Sequence, residues 1–215
     1  ICQTSYSKKS FNNKYGVPIS LFNINYKDKI GIFEVGMDKK GEIDFLTKKI
    51  MPNVGVITNI SYAHIKNFKN LKGVANAKSE IINNIVEHGS IILNADDRFF
   101  KFFKSKSIKR KLRIISFGIK NKSDVSLTKI KKGKFSSVIY IKYNEKILKF
   151  TIKKNLENYI YNILSTLAVM SLYFDLKKLD KSFFNDYQFP EGRGDINIIK
   201  FKEKKINLID ESYNS

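Results

Sequence analysis

Four short stretches are apolar at almost every position: residues 29–36 (KIGIFEVG), 54–58 (VGVIT), 90–94 (SIILN) and 112–118 (LRIISFG). Runs of this length without polar alternation predict strands covered on both faces, as in a parallel sheet. Helical spacing fills the intervals between them. Residues 41–51 (GEIDFLTKKIM) repeat apolar side chains at helical intervals and stop before Pro52. Within 71–89, Val74, Ala77, Ile81, Ile82 and Ile85 fall on one helical face, with Gly89 placed as a C-cap. A third, shorter helix is predicted around Asp96 to Lys104.

The period changes after that. Residues 124–153 alternate with period two and carry turn signals at Lys132-Gly133 and Asn144-Glu145, which predicts a three-stranded antiparallel meander. A long buried helix from Glu157 to Phe174, a shorter one from Leu179 to Tyr187 and a loop at 189–195 (FPEGRGD) follow. Strands at 196–201 and 206–210 end the series. The expected fold is α/β, a mostly parallel sheet flanked by helices with a small antiparallel sub-sheet at about 124–153.

In open parallel sheets, ligands sit outside the carboxyl ends of the strands. Glu34 closes the first apolar run, Asn59 and His64 follow the second, and Asn94, Asp96 and Asp97 follow the third. A carboxylate and an imidazole meeting at that edge can hold a divalent cation, and loop amides can hold the phosphates it neutralises. Each residue alone has a plainer reading: a strand-end glutamate as a cap, a loop histidine as a solvated imidazole. His88 reads as a cation near a helix C-terminus.

Composition narrows the partners. The 215 residues carry a formal charge of +20, yet the lysines are scattered, with short clusters only at 104–111 and 129–134. No zinc-finger, helix-turn-helix or RNA-recognition signature accompanies them, so the charge reads as a general compositional bias, with anionic ligands kept in view. A basic nucleic-acid-binding domain stays open as the alternative of a different class. A single cysteine, Cys2, suits a reducing cytoplasm, and no apolar run approaches the roughly 20 residues that span a bilayer.

Eight stretches, taken in order, resemble the central domain of the Mur ligases: 11–21 (FNNKYGVPISL), 33–44 (FEVGMDKKGEID), 54–68 (VGVITNISYAHIKNF), 71–81 (LKGVANAKSEI), 92–97 (ILNADD), 162–170 (NILSTLAVM), 190–195 (PEGRGD) and 208–215 (LIDESYNS). The resemblance implies a P-loop-type nucleotide-binding domain over 1–209 and the start of a hinge to a further domain at 210–215. It implies an ATP-dependent amide ligase of peptidoglycan precursor synthesis that adds D-alanyl-D-alanine to UDP-N-acetylmuramoyl-tripeptide through an acyl phosphate. The enzyme would be cytoplasmic and, when complete, monomeric. A sister Mur ligase or a folylpolyglutamate synthetase-like protein is the alternative within the same architecture.

By this resemblance Glu34 would bind the magnesium that bridges the β- and γ-phosphates of ATP. His64 would bind a second magnesium, and Lys78, carrying a carbamate, would join it; His64 and Lys78 are the expected catalytic pair. Asn59 would lie near the phosphates, Asn162 at the adenine and Arg193 against the nucleotide. Asp210 and Glu211 would sit at the ribose and hinge, with Tyr213 and Asn214 opening the next domain. The family's glycine-rich phosphate loop is expected ahead of residue 1, so these 215 residues are expected to be an inactive fragment. The histidine-asparagine pair usual before Asn162 reads Asn158-Tyr159 here.

Overall fold

A computed structural model describes residues 2–8, 10–62, 65–188, 195–202 and 204–210. In chain order the elements are β1 (Thr4–Tyr6), α1 (Gly16–Phe22), β2 (Ile30–Ile32), α2 (Glu42–Ile50), β3 (Val54–Ile57), α3 (Leu71–Lys78), α4 (Ile81–Asn84), β4 (Ser90–Asn94), α5 (Phe100–Lys109), β5 (Arg113–Gly118), β6 (Val125–Lys132), β7 (Ser136–Tyr143), β8 (Lys146–Lys153), α6 (Ile160–Met170), β9 (Asp195–Phe201) and β10 (Lys204–Asp210). Single 3-10 segments occupy Ile65–Asn67, Lys154–Tyr159 and Leu176–Lys178. Among the described residues no helix is long and apolar enough to cross a membrane.

The main sheet has six strands in the order β3-β4-β5-β6-β7-β8. Its first four strands run parallel and its last three form antiparallel pairs. β4 explains why its sequence lacks alternation. Ile92 packs into the cluster of α6, with Leu164 and Leu167, while Ile91 and Leu93 pack into the opposite cluster with Ile82, Ile85 and Phe103. Helices cover both faces, so both sets of side chains must be apolar.

The antiparallel meander exists as expected, and the turn at Asn144-Glu145 has positive φ at both residues, the geometry of a two-residue type I′ turn. It is not a separate sub-sheet, however. The last two residues of β5 pair with the first two of β6, Phe117 with Val125 and Gly118 with Ser126, so the meander continues the parallel sheet past its carboxyl edge.

The stretch at 29–36 departs from expectation. Only Ile30–Ile32 is strand, and it pairs in parallel with β1 in a sheet of its own. Ile32 is 58% exposed, so this strand is not covered on both faces. Beyond Ile32 the backbone turns to the 7–12 loop: the Glu34 N–H donates to the Ser7 hydroxyl and the Gly36 N–H to the Asn12 carbonyl.

Three predicted helices also depart from their patterns, two by being shorter and one by not forming. The 71–89 segment breaks between α3 and α4, where the Glu80 and Ile82 N–H groups tighten onto the carbonyls three residues back and the Ser79 hydroxyl bonds the Asn76 carbonyl. α6 starts at Ile160 and ends at Met170, preceded by a 3-10 segment whose Glu157 carboxylate is held by the Ser137 hydroxyl and by Lys154. Residues 179–187 form turns, because the Asp180 carboxylate captures the Ser182 N–H at 2.7 Å and so competes with the helical pattern. β9 and β10 pair as an antiparallel hairpin apart from the main sheet.

Candidate functional site

Parallel register brings the ends of β3, β4 and β5 to one edge, since Ile57 lies beside Leu93 and Asn94 beside Phe117. The loops that follow carry Asn59, then Asn94 to Asp97, then Ile119 to Asn121. Asp96 ties two of these loops together. Its carboxylate accepts the N–H groups of Ile119 (2.6 Å), Lys120 (3.0 Å) and Asn121 (2.7 Å) and the Tyr161 hydroxyl at 3.0 Å. Burial alone would raise this carboxyl, but those donors outweigh it and hold the group below the ordinary aspartate range. Burial and the Asp96 carboxylate push the Tyr161 phenol upward. Through that bond the first turn of α6, where exposed Asn162 sits, is fixed against the strand edge.

Lys78 ends α3 and is half-buried. Its ammonium donates to the Asn59 carbonyl at 3.0 Å. Burial pushes its pKa below the ordinary lysine value, and the nearby Asp97 carboxylate partly restores it. Glu34 is exposed, and one of its oxygens accepts the Asn12 side-chain amide at 2.9 Å. Gly36 permits that contact. A Cβ at Gly36 would stand 3.0 Å from the Asn12 side chain, which accounts for glycine two residues after the glutamate.

Glu34, Asn59, Lys78 and Asn162 line one open cleft of about 2350 Å³ between the β1–β2 pair and the free edge of β3. The cleft thus unites four of the residues expected from sequence. His64, Arg193, Glu211, Tyr213 and Asn214 lie outside the described residues. Asp210 closes β10 with its backbone paired to Asp195, and its side chain is likewise outside the description. Two residues inside the motifs, but given no role from sequence, prove structural. Asn12 of FNNKYGVP orients Glu34, and Glu80 of AKSEI grips the N-terminus of α2 through the Gly41 and Asp44 N–H groups. Tyr161 left no signal in the sequence.

Among the described residues no three histidine, cysteine, aspartate or glutamate side chains cluster as a metal cage. The donors present suit magnesium instead in its phosphate-bound form, which needs one or two protein carboxylates and takes its other ligands from phosphate and water.

The model of the Mur ligase middle domain matches residues 1–170. The chain belongs to the Mur ligase family. Among its Mur ligase relatives, the UDP-N-acetylmuramoyl-tripeptide–D-alanyl-D-alanine ligase of Rickettsia prowazekii is 30% identical over 195 residues, 88% of this chain and 42% of that protein. The enzyme of the same name from Buchnera aphidicola subsp. Baizongia pistaciae is 36% identical over 122 residues, 57% of this chain and 26% of that protein. The fold superposes on MurF from Acinetobacter baumannii with a TM-score of 0.87 at 26% identity, covering 100% of this chain and 46% of that one. The chain therefore spans less than half the length of these Mur ligases.

Proposed function

We propose that this chain is the nucleotide-binding part of an ATP-dependent ligase that joins D-alanyl-D-alanine to UDP-N-acetylmuramoyl-tripeptide. The observation that carries the proposal is that Glu34, Asn59, Lys78 and Asn162 all line the one open cleft along the free edge of β3, with the Lys78 ammonium bonded to the Asn59 carbonyl. Relatives bearing that name, at 30% identity over most of the chain, favour this substrate pair over those of sister ligases.

In this reading the cleft binds ATP, with adenine toward Asn162 and phosphates toward Asn59. Glu34 is the carboxylate suited to hold magnesium at the phosphates. Bound there, magnesium would neutralise phosphate charge as the γ-phosphoryl group moves. The tripeptide carboxylate takes that group, giving an acyl phosphate and ADP. The amine of D-alanyl-D-alanine then adds to the carbonyl and inorganic phosphate leaves, so the amide forms as the amine loses its proton. Positioning and charge neutralisation supply most of the catalysis.

The lowered pKa of Lys78 leaves more of its amine neutral than an exposed lysine would have, and neutral amine is the form that adds carbon dioxide to give a carbamate and a proton. His64 is assigned beside it as a second metal ligand, and Arg193, Asp210 and Glu211 to the nucleotide, on the strength of the motifs alone. The complete protein is placed in the cytoplasm, where ATP and the nucleotide-linked precursor are available.

The test is phosphate release by the full-length protein with ATP, magnesium and UDP-N-acetylmuramoyl-tripeptide, with D-alanyl-D-alanine added or replaced by single amino acids. Release that requires the dipeptide supports the proposal. Release with a single amino acid in its place would assign the chain to a sister ligase.

A further inference from the structure

Three successive residues after β3 are held by three different side chains. The Asn94 side-chain amide donates to the Thr58 carbonyl at 3.0 Å, the Lys78 ammonium to the Asn59 carbonyl at 3.0 Å, and the Ile60 N–H donates to the Asp97 carboxylate at 2.7 Å. The ladder with β4 stops at Ile57, so these backbone groups lie beyond the reach of the sheet and side chains satisfy them instead. The two holders at and just beyond the end of β4 are themselves locked. The Asn94 side-chain oxygen accepts the Asp96 N–H at 2.9 Å, and the second Asp97 oxygen accepts the Phe99 N–H at 2.8 Å.

We propose that Asp97, assisted by Asn94, is a positioning residue that sets the Thr58–Ile60 loop and thereby the placement of Asn59 and Lys78 in the cleft. This rests on the ligase reading above for its catalytic consequence, though not for its geometry. Neither residue is required to touch nucleotide. A loop rigid at Thr58 and Ile60 holds Asn59 between two fixed points, and Lys78 meets the carbonyl of that same residue. Displacing reactive groups by about 1 Å costs on the order of a hundredfold in rate, so the grip is worth more to turnover than to folding.

The experiment uses the full-length protein with Asp97→Ala, Asn59→Ala and their combination, and Asn94→Ala as a second route to the same loop. Amide hydrogen exchange reads the geometry. Exchange at Ile60 is expected to quicken about tenfold or more in Asp97→Ala, while the amides of β4 stay protected and so certify the fold. Steady-state kinetics read the consequence. In Asp97→Ala, kcat should fall about tenfold or more, with KM for D-alanyl-D-alanine within about twofold of wild type. Adding Asn59→Ala should cost little beyond the larger single effect, because both changes strike one unit. Asn94→Ala should show the same failure to multiply with Asn59→Ala.

Unchanged exchange at Ile60, or effects of Asp97 and Asn59 that simply multiply, would overturn the proposal. If the wild-type protein shows no ATP-dependent ligation, the functional reading falls, while the exchange measurement still decides whether Asp97 holds the loop.

Discussion

Asp96 shows how much one carboxylate can organise. It accepts three backbone N–H groups and a phenol, and Gly118 beside it leaves the carboxylate room, since a Cβ there would press to 3.2 Å of both its oxygens. Removing it leaves several donors at the sheet edge without their acceptor, at about 1–3 kcal/mol for such a loss. Asp96→Ala should therefore lower the unfolding free energy by about 1–3 kcal/mol, read by circular dichroism as a fall in the urea midpoint. The pH dependence has a definite sign. A carboxyl held below its unfolded value binds fewer protons in the folded state, so its stabilisation is present above the ordinary aspartate pKa and is lost as pH falls through the lowered one. Wild type should lose stability on acidification more steeply than Asp96→Ala. Asn12 acts at the other end of the cleft. Its contact with Glu34 is exposed, so Asn12→Ala should barely alter stability; in the full-length enzyme it should raise the magnesium concentration needed for half-maximal turnover. An unaltered magnesium titration would detach Asn12 from the metal side of the site.

Among the elements, α2 is capped from outside its own sequence. Its N-cap is Gly41, which has no side chain to offer, and the Glu80 carboxylate supplies the acceptor by receiving the Gly41 N–H at 2.9 Å and the Asp44 N–H at 3.1 Å. The same carboxylate lies where the helix dipole favours negative charge. Glu80→Ala should cost about 1 kcal/mol, as loss of a cap does, and Glu80→Gln somewhat less, both measurable as thermal shifts. Such long-range caps explain what could and could not be read in advance. The parallel strands β3, β4 and β5 were legible because burial on two faces writes an unbroken apolar run. The strand at 29–36 was misread because an apolar run does not name its partner, and β2 found β1 instead of the main sheet. The break after Lys78 was hidden because the apolar face continues through Ile81, Ile82 and Ile85, while the causes are polar: the Ser79 hydroxyl bonds back to the Asn76 carbonyl of α3, and the Glu80 carboxylate reaches across to Gly41. At the site, Glu34, Asn59, Lys78 and Asn162 were named from motif likeness and meet in one cleft; Tyr161 was invisible because its partner, Asp96, lies 65 residues away in sequence.

At the scale of the whole molecule, the charge of +20 is a standing cost to the fold. The ion pairs found among the described residues hold few cations: Lys48 with Asp44, Lys142 with Glu145 and Lys154 with Glu157 are local, and Lys132 reaches Glu157 from β6. Exposed pairs of this kind contribute about 0–1 kcal/mol each. Many other lysines lie along neighbouring rings, as Lys131 and Lys149 do beside Tyr140, which shelters apolar surface without neutralising charge. Mutual repulsion among scattered surface cations is long-ranged and should weaken as the screening length falls from about 30 Å at 0.01 M salt to about 8 Å at 0.15 M. Raising sodium chloride across that range should therefore raise the melting temperature by roughly a few degrees for a chain of this size and then flatten. Screening depends on ionic strength and not on the identity of the anion, so chloride and acetate at equal strength should act alike. Inorganic phosphate or ATP with magnesium should add a further, saturable rise through the cleft, because a ligand that binds only the folded state stabilises it by mass action. A melting temperature that falls as chloride is added would show that the surface charges attract more than they repel, and the scattered arrangement would then have to be a matched one.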